Sequence, residues 1–351
     1  MSFQIGIVGL PNVGKSTLFN ALTKQGAQAS NFPFTTIDPN VGVISVPDER
    51  IEKLAIQEKS EKKVPTSIEF VDIAGLVKGA AEGQGLGNKF LSHIREVDAI
   101  MQVVRFFKND DIIHVDGSIN PERDLEVINL ELILADLAMV NKRLESLGRE
   151  VKSGDKGATA KQVVLEKIKQ ALDQGKLASS VDLTDEEKIL STDLVFLTMK
   201  PMLYVANTLD KSVPMIKNNK LVALDVKIEA ELVELSDTER VEYMKELDMD
   251  ESGLDKLVRA SYELLNLITF FTAGPKETKA WTIVKDTKAP QAAGVIHTDF
   301  EKGFIKAEII AWDKLLEAGG YGPARDKGWL RIEGKEYVIQ DGDVVHFRFN
   351  L

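Results

Sequence analysis

Short apolar blocks alternate with helix-spaced stretches over most of the chain, and the pattern changes near residue 274. Phe3 to Val8 forms an apolar run, and Ser16 to Gln25 repeats Leu18, Phe19, Ala21 and Leu22 at helical spacing. A strand and then a helix ended by Gly26 are expected. Val41 to Val46, Ser67 to Asp72 and Asp98 to Phe106 read as further strands, with a helix over Asn88 to Glu96. The next strand ends at Tyr204-Val205-Ala206-Asn207, far beyond the roughly 30 residues of an ordinary βαβ unit, so an insertion is expected. It reads as a helical hairpin. Asn120 and Pro121 suit an N-cap and first turn, followed by Leu125, Ile128, Leu132, Ala135, Met139 and Leu144. Ser153-Gly154-Asp155-Lys156-Gly157 makes a turn before Val164, Ile168 and Leu172, and Thr184 with Glu187 resembles a capping box.

Leu257, Leu264, Leu265, Ile268 and Phe271 continue a helical pattern up to Gly274-Pro275. Trp281 to Val284, Gly303 to Ile309 and Val344 to Phe349 then read as strands of a compact β-rich domain, with Asp341-Gly342-Asp343 as a tight turn. The expected division is a nucleotide-binding domain over 1–118 with 196–274, a helical insertion over 119–195 and a C-terminal domain over 275–351.

The link between the first strand and helix carries the chemistry. Gly9-Leu10-Pro11-Asn12-Val13-Gly14-Lys15-Ser16 has the spacing of a phosphate-binding loop. In that reading the backbone over Asn12, Val13, Gly14, Lys15, Ser16 and Thr17 curls around a di- or triphosphate. Lys15 reaches the β- and γ-phosphates and the Ser16 hydroxyl binds Mg²⁺. The Pro-interrupted stretch Asn31 to Asn40 stands where a switch segment would lie, with Thr36 favoured over Thr35 as a Mg²⁺ ligand. Asp72-Ile73-Ala74-Gly75 suits a water-mediated metal contact from Asp72 and a backbone N–H from Gly75 to the γ-phosphate. Leu76 follows, where many GTPases carry a water-orienting glutamine, so hydrolysis needs another group or a partner. The glycine-dense stretch Gly75 to Gly87 suits a switch, although glycine richness alone carries no chemistry.

Asn207-Thr208-Leu209-Asp210 stands where GTP-binding proteins carry Asn-Lys-x-Asp. Asp210 could accept from guanine, yet threonine replaces the lysine that packs along the base. The choice between ATP and GTP is therefore open on chemistry alone. Asp225 to Glu229 occupies the place of a second base-contacting loop.

Composition narrows the class. Cysteine is absent, which excludes disulfides, thiolate metal sites and thiol catalysis. A net charge of −11 argues against broad charge-driven nucleic-acid binding, leaving room for local basic patches. No apolar run has the length of a membrane span and no signal sequence is evident. A cytoplasmic protein with neither a membrane nor a specific DNA partner is expected.

Taken together, these motifs resemble the YchF family of translation-factor-class P-loop NTPases, related to the Obg GTPases. The likeness runs through Gly9 to Thr23, Asn31-Phe32-Pro33-Phe34, Asp72 to Val77, Gly83 to Asn88, Asn109 to Val115 and Phe270 to Gly274. Ala292 to Phe304 looks like the family's ubiquitin-like TGS domain. The resemblance implies an α/β P-loop domain with a mostly parallel doubly wound sheet, a helical-hairpin insertion and a C-terminal β-grasp domain. It implies a ribosome-associated ATPase, with ATP preferred over GTP, Mg²⁺ as cofactor and the large ribosomal subunit as partner. It also offers His114 in place of the missing glutamine, Asn12 as a holder of an activating K⁺, and Asn207 with the backbone near Leu209 as the base site. Two departures border the base and switch segments: Thr35 stands where several relatives carry cysteine, and the base loop ends in Asp210 where glutamate is usual. A GTPase of the same fold, or a nucleotide-gated ribosome- or RNA-binding module with negligible turnover, are the alternatives.

Overall fold

The computed structural model describes residues 3–29, 40–73, 86–107, 118–209 and 221–350. The elements run β1 (Gln4–Val8), α1 (Lys15–Ala29), β2 (Val41–Ser45), α2 (Glu49–Glu58), β3 (Lys62–Val64), β4 (Ser67–Asp72), α3 (Leu86–Glu96) and β5 (Ala99–Arg105). There follow α4 (Pro121–Lys152), α5 (Lys156–Asp173), α6 (Asp185–Ser191), β6 (Met202–Asn207), β7 (Leu221–Leu224), α7 (Val226–Leu232), α8 (Asp237–Glu246) and α9 (Gly253–Leu264). The last stretch holds β8 (Leu267–Thr272), β9 (Glu277–Val284), α10 (Ala289–Ile296), α11 (Thr298–Lys302), β10 (Phe304–Ala311), α12 (Trp312–Ala318), α13 (Tyr321–Asp326), β11 (Arg331–Glu333) and β12 (Asp343–Phe349). Compactness divides the chain into one unit of Gln4–Ala21 with Phe70–Glu234 and another of Met1–Phe3, Leu22–Glu69 and Leu235–Leu351.

In the first unit the end of β4 precedes β1, β5, β6 and β7 across a parallel sheet. Ile5 stands opposite Ala99, Ile100 opposite Met202 and Tyr204 opposite Leu221. Every residue of β5 is buried, the mark of a central parallel strand. Parallel alignment brings the carboxyl ends of β1, β5 and β6 to one edge, where the following loops can build a binding site.

The expected helical hairpin is present. Asn120 caps α4 by accepting from the Arg123 amide, Pro121 opens the helix, and the Thr184–Glu187 capping box starts α6. Leu125 packs with Val104 and Tyr204 of the sheet, while further out Val140, Leu147, Val164, Leu165, Ile168 and Leu172 share a core between α4 and α5. The apolar stripe therefore changes partner along α4, from sheet to neighbouring helix.

In the second unit the sheet order is β11, β10, β12, β8, β9, β3. The hairpin β8–β9 is antiparallel, β12 runs parallel to β8, and β10 pairs antiparallel with β12. This is the β-grasp arrangement. One cluster joins Ala289, Ala292 and Ala293 of α10 to Phe270, Ile309 and Phe347. Another joins Ile51 and Leu54 of α2 and Leu315 of α12 to Phe271, Ile310 and Val344. The sheet is thus packed on two faces. Its edge strand β3 comes from far upstream and runs parallel to β9 from Lys62 opposite Glu277.

Three sequence expectations are corrected. Helix α1 continues through Gly26 to Ala29. Glycine is needed there for close packing: a Cβ would lie 2.3 Å from the Val43 carbonyl oxygen. The helical pattern before Gly274 is also interrupted. Asn266 takes φ 53°, α9 ends at Leu264, and Ile268 and Phe271 lie in β8, which pairs with β9 and β12. Finally, Asp225 to Glu229 is the capped start of α7, where the Asp225 carboxylate accepts from the Lys227 and Ile228 amides at 2.9 and 3.3 Å.

Candidate functional site

The loop leaving β1 closes onto α1, whose first residue is Lys15. Asn12 and Gly14 both adopt left-handed backbone conformations, φ 63° and φ 96°. Gly14 is doubly constrained, since a Cβ there would lie 2.4 Å from Asn207 Nδ2. The Leu18 amide donates to the Gly14 carbonyl at 2.9 Å and starts the helix. A tight turn running into a helix N-terminus is the backbone shape that receives a phosphate.

Asn207, at the end of β6, holds this loop in place. Its Nδ2 donates to the Val13 carbonyl at 3.0 Å, and its Oδ1 accepts from the Val226 amide, the first residue of α7, at 3.2 Å. Asn207 is 6% exposed, so both backbone groups depend on it for pairing away from water. The sequence reading places Asn207 at the base; its side chain also joins the phosphate loop to α7. Such a role is legible only once β6 and β1 are known to flank β5 in one sheet.

The Lys15 ammonium forms an ion pair with the Asp72 carboxylate at the end of β4. Thus two residues 57 positions apart in the chain meet at the loop. Ser16 and Thr17 are exposed on the first turn of α1, Val13 is buried, and Asn12 is exposed. An ammonium, a helix N-terminus, two hydroxyls and a carboxylate from the adjoining strand form a donor set that fits a magnesium-bound polyphosphate: hard oxygens for the metal, positive charge for the phosphates. Leu209, two residues beyond Asn207, is 71% exposed. Thr36, Gly75, His114 and Asp210 lie outside the described residues.

A further connection was not singled out by the sequence. Asp136 of α4, 1% exposed, accepts from the Leu197 amide at 3.0 Å, the Thr198 amide at 2.8 Å and the Thr198 hydroxyl at 2.7 Å. Burial pushes its carboxyl above the ordinary aspartate range, against the lowering effect of those bonds. Residues 197–199 form the turn leading into β6, so this carboxylate ties the helical arm to the strand that carries Asn207. A carboxylate at a core position of the helical stripe, which Asp136 shares with Asp124 and Glu131, is the signal that could have marked it.

The parallel sheet, the loop after its first strand and the Lys15–Asp72 pair define a P-loop nucleotide-binding protein. The family model described as 50S ribosome-binding GTPase matches residues 4–142, and the model YchF-GTPase_C, described as a protein of unknown function, matches residues 267–350. The protein called Ribosome-binding ATPase YchF from Bacillus subtilis is 52% identical over 366 residues, covering 100% of both chains. Its namesake from Pasteurella multocida is 50% identical over 363 residues, again covering 100% of both. The solved structure of the Schizosaccharomyces pombe YchF GTPase superposes with a TM-score of 0.88 at 40% identity, covering 99% of this chain and 98% of that one. The chain belongs to the YchF family. Among the described residues no helix is long and apolar enough to cross a membrane.

Proposed function

We propose that this protein is a Mg²⁺-dependent nucleoside triphosphatase that prefers ATP to GTP and acts as a ribosome-associated switch. The observation carrying the nucleotide reading is the phosphate loop itself, with Gly14 in the left-handed region, Asn207 bonded to Val13 and Lys15 paired with Asp72. The relatives' printed name, Ribosome-binding ATPase, supports the choice of ATP and of the ribosome as partner, and the family model described as 50S ribosome-binding GTPase supports its large subunit.

Lys15 exchanges its bond to Asp72 for the β- and γ-phosphate oxygens, and the loop backbone over Asn12 to Thr17 holds the remaining oxygens. Ser16 and Thr36 would hold Mg²⁺ through their hydroxyls, and the freed Asp72 carboxylate would support the metal through water. When bound, the metal neutralises charge on the phosphates. Gly75 donates its backbone N–H to the γ-phosphate. His114, as a neutral imidazole, orients the attacking water that no glutamine is present to orient. Asn12 would help hold an activating K⁺, which would supply positive charge against the negative charge of the transition state. Asn207 and the backbone at Leu209 hold the base, with Asp210 at its edge.

The test is hydrolysis of ATP and of GTP with Mg²⁺, with and without K⁺ and ribosomes, for the wild type and His114→Ala. The reading expects faster ATP turnover, stimulation by K⁺ or ribosomes, and loss of turnover with retained nucleotide binding in His114→Ala. Nucleotide binding without hydrolysis under every condition would discard the enzyme and leave a nucleotide-gated binding module.

A further inference from the structure

The helical arm is electrically polarised along its length. Over residues 141–163, the end holding the turn between α4 and α5, six basic residues stand against three acidic ones. Over 119–140 and 164–192, five basic residues stand against eleven acidic ones, while Asp193 pairs with Arg143 and Lys161 of the far end. The far end is positive on a chain whose net charge is −11.

Of the far-end basic residues, Arg143 and Lys161 are paired with Asp193, and the other four are not paired among the described residues. Near the base, Arg123 pairs with Asp124, Lys167 with Glu187, Lys169 with Asp173 and Lys188 with Asp185. At the far end Lys142, Arg149, Lys152 and Lys156 are all exposed, and none makes an ion pair or side-chain hydrogen bond among the described residues. Two of the nearby acids are engaged: Asp155 caps α5 at the Ala158 amide, 3.0 Å away, and Glu150 lies 3.6 Å from Arg143. Arg149 is also far from the nucleotide sheet. At about 1.5 Å per residue, the helix axis carries it roughly 36 Å beyond Leu125, which packs on that sheet.

We propose that this end of the arm is a contact surface for the phosphate backbone of folded RNA. Its chemistry favours phosphates over a protein partner. Residues 141–163 contain no aromatic side chain, and Val163 is the one large apolar residue exposed there, so the aromatic anchors typical of protein hot spots are missing. The same lack of aromatics removes base stacking, leaving point charges that follow a duplex backbone without reading its sequence. Gly154 and Gly157, at the turn and the start of α5, keep the tip narrow enough for close approach. The proposal rests on the ribosome-associated reading above and names the surface that would serve it.

The experiment uses the full chain and a variant with Lys142→Gln, Arg149→Gln, Lys152→Gln and Lys156→Gln. A charge-matched control carries Lys167→Gln, Lys169→Gln, Lys176→Gln and Lys188→Gln. Binding to purified ribosomes is measured by co-sedimentation, and binding to a dye-labelled RNA duplex by anisotropy, between about 50 and 200 mM KCl. Circular dichroism and nucleotide affinity check that each variant folds. The wild type should bind both probes. The tip variant should lose roughly tenfold or more in affinity at the lowest salt, and the slope of log affinity against log salt should flatten by about 3.6, near 0.9 for each of four lost phosphate contacts. The control should keep the wild-type slope. An unchanged slope in the tip variant, or equal losses in both variants, overturns the tip assignment while ribosome binding by the wild type stands. Wild-type protein that binds neither probe overturns both this surface and the ribosome reading.

Discussion

Replacing Asn207 with alanine deletes the amide that donates to the Val13 carbonyl at 3.0 Å and accepts from the Val226 amide at 3.2 Å. Both backbone groups then lose their partner at a position 6% exposed. An orphaned buried polar group costs about 1–3 kcal/mol, so the pair sets a range of about 2–6 kcal/mol, with the lower half expected because the loop can relax toward water. That cost divides between folding stability and the work of re-forming the loop around a ligand. If about 1.4–2.8 kcal/mol falls on binding, nucleotide affinity drops roughly 10- to 100-fold. The assay is calorimetric titration of wild type and Asn207→Ala with ATP, GTP and inorganic tripolyphosphate, alongside urea unfolding. Because Asn207 braces the phosphate loop, tripolyphosphate should weaken too, and the nucleotides at least as much, since the same residue is proposed to hold the base. A loss confined to one nucleotide, with tripolyphosphate unaffected, would refute loop bracing and make Asn207 a base reader alone.

Other substitutions test other parts of the account. Gly26→Ala forces a Cβ to within 2.3 Å of a backbone oxygen and should destabilise by about 1–3 kcal/mol in urea. Gly148→Ala, inside α4 with nothing within 4 Å of the new methyl, should stabilise by about 0.5–1 kcal/mol in the same assay. Asp136→Ala leaves the Leu197 and Thr198 amides without their acceptor and should cost about 2–4 kcal/mol; a shift below about 0.5 kcal/mol would show that the tie between arm and β6 carries little energy. His346, exposed on β12, titrates below its ordinary 6.5, first through partial desolvation and then through Arg348, with Glu308 opposing. The unfolded chain therefore binds the proton more readily, so this contribution is present above pH 6.5 and lost as pH falls through the depressed value. Thermal midpoints followed down to about pH 5 should fall less for His346→Gln than for the wild type.

The phosphate loop was legible because its chemistry is local: eight consecutive residues contain the glycines, the lysine and the hydroxyl. The arm was legible from a gap too long for one crossover and from capping residues that act within a single turn. What pattern alone missed depends on neighbours distant in the chain. Gly26 reads as a helix terminator until the Val43 carbonyl is seen beside it. Ile268 and Phe271 fit a helical stripe, yet each also fits a strand, and the left-handed Asn266 decides between them. Asn207 illustrates the same limit at the site, since a side chain at a strand end can face either a base or the loop of a neighbouring strand. Sheet order brings it to Val13.

The most direct measurement of the central claim is a competition titration of purified, nucleotide-stripped protein, in which ATP and GTP displace a fluorescent nucleotide with and without Mg²⁺, for wild type and Lys15→Ala. The account predicts that ATP competes at lower concentration than GTP, that Mg²⁺ tightens both, and that Lys15→Ala weakens both together. Selective binding of GTP would overturn the ATP assignment and make Asp210 the guanine reader, whereas undiminished binding by Lys15→Ala would contradict the phosphate-loop site itself.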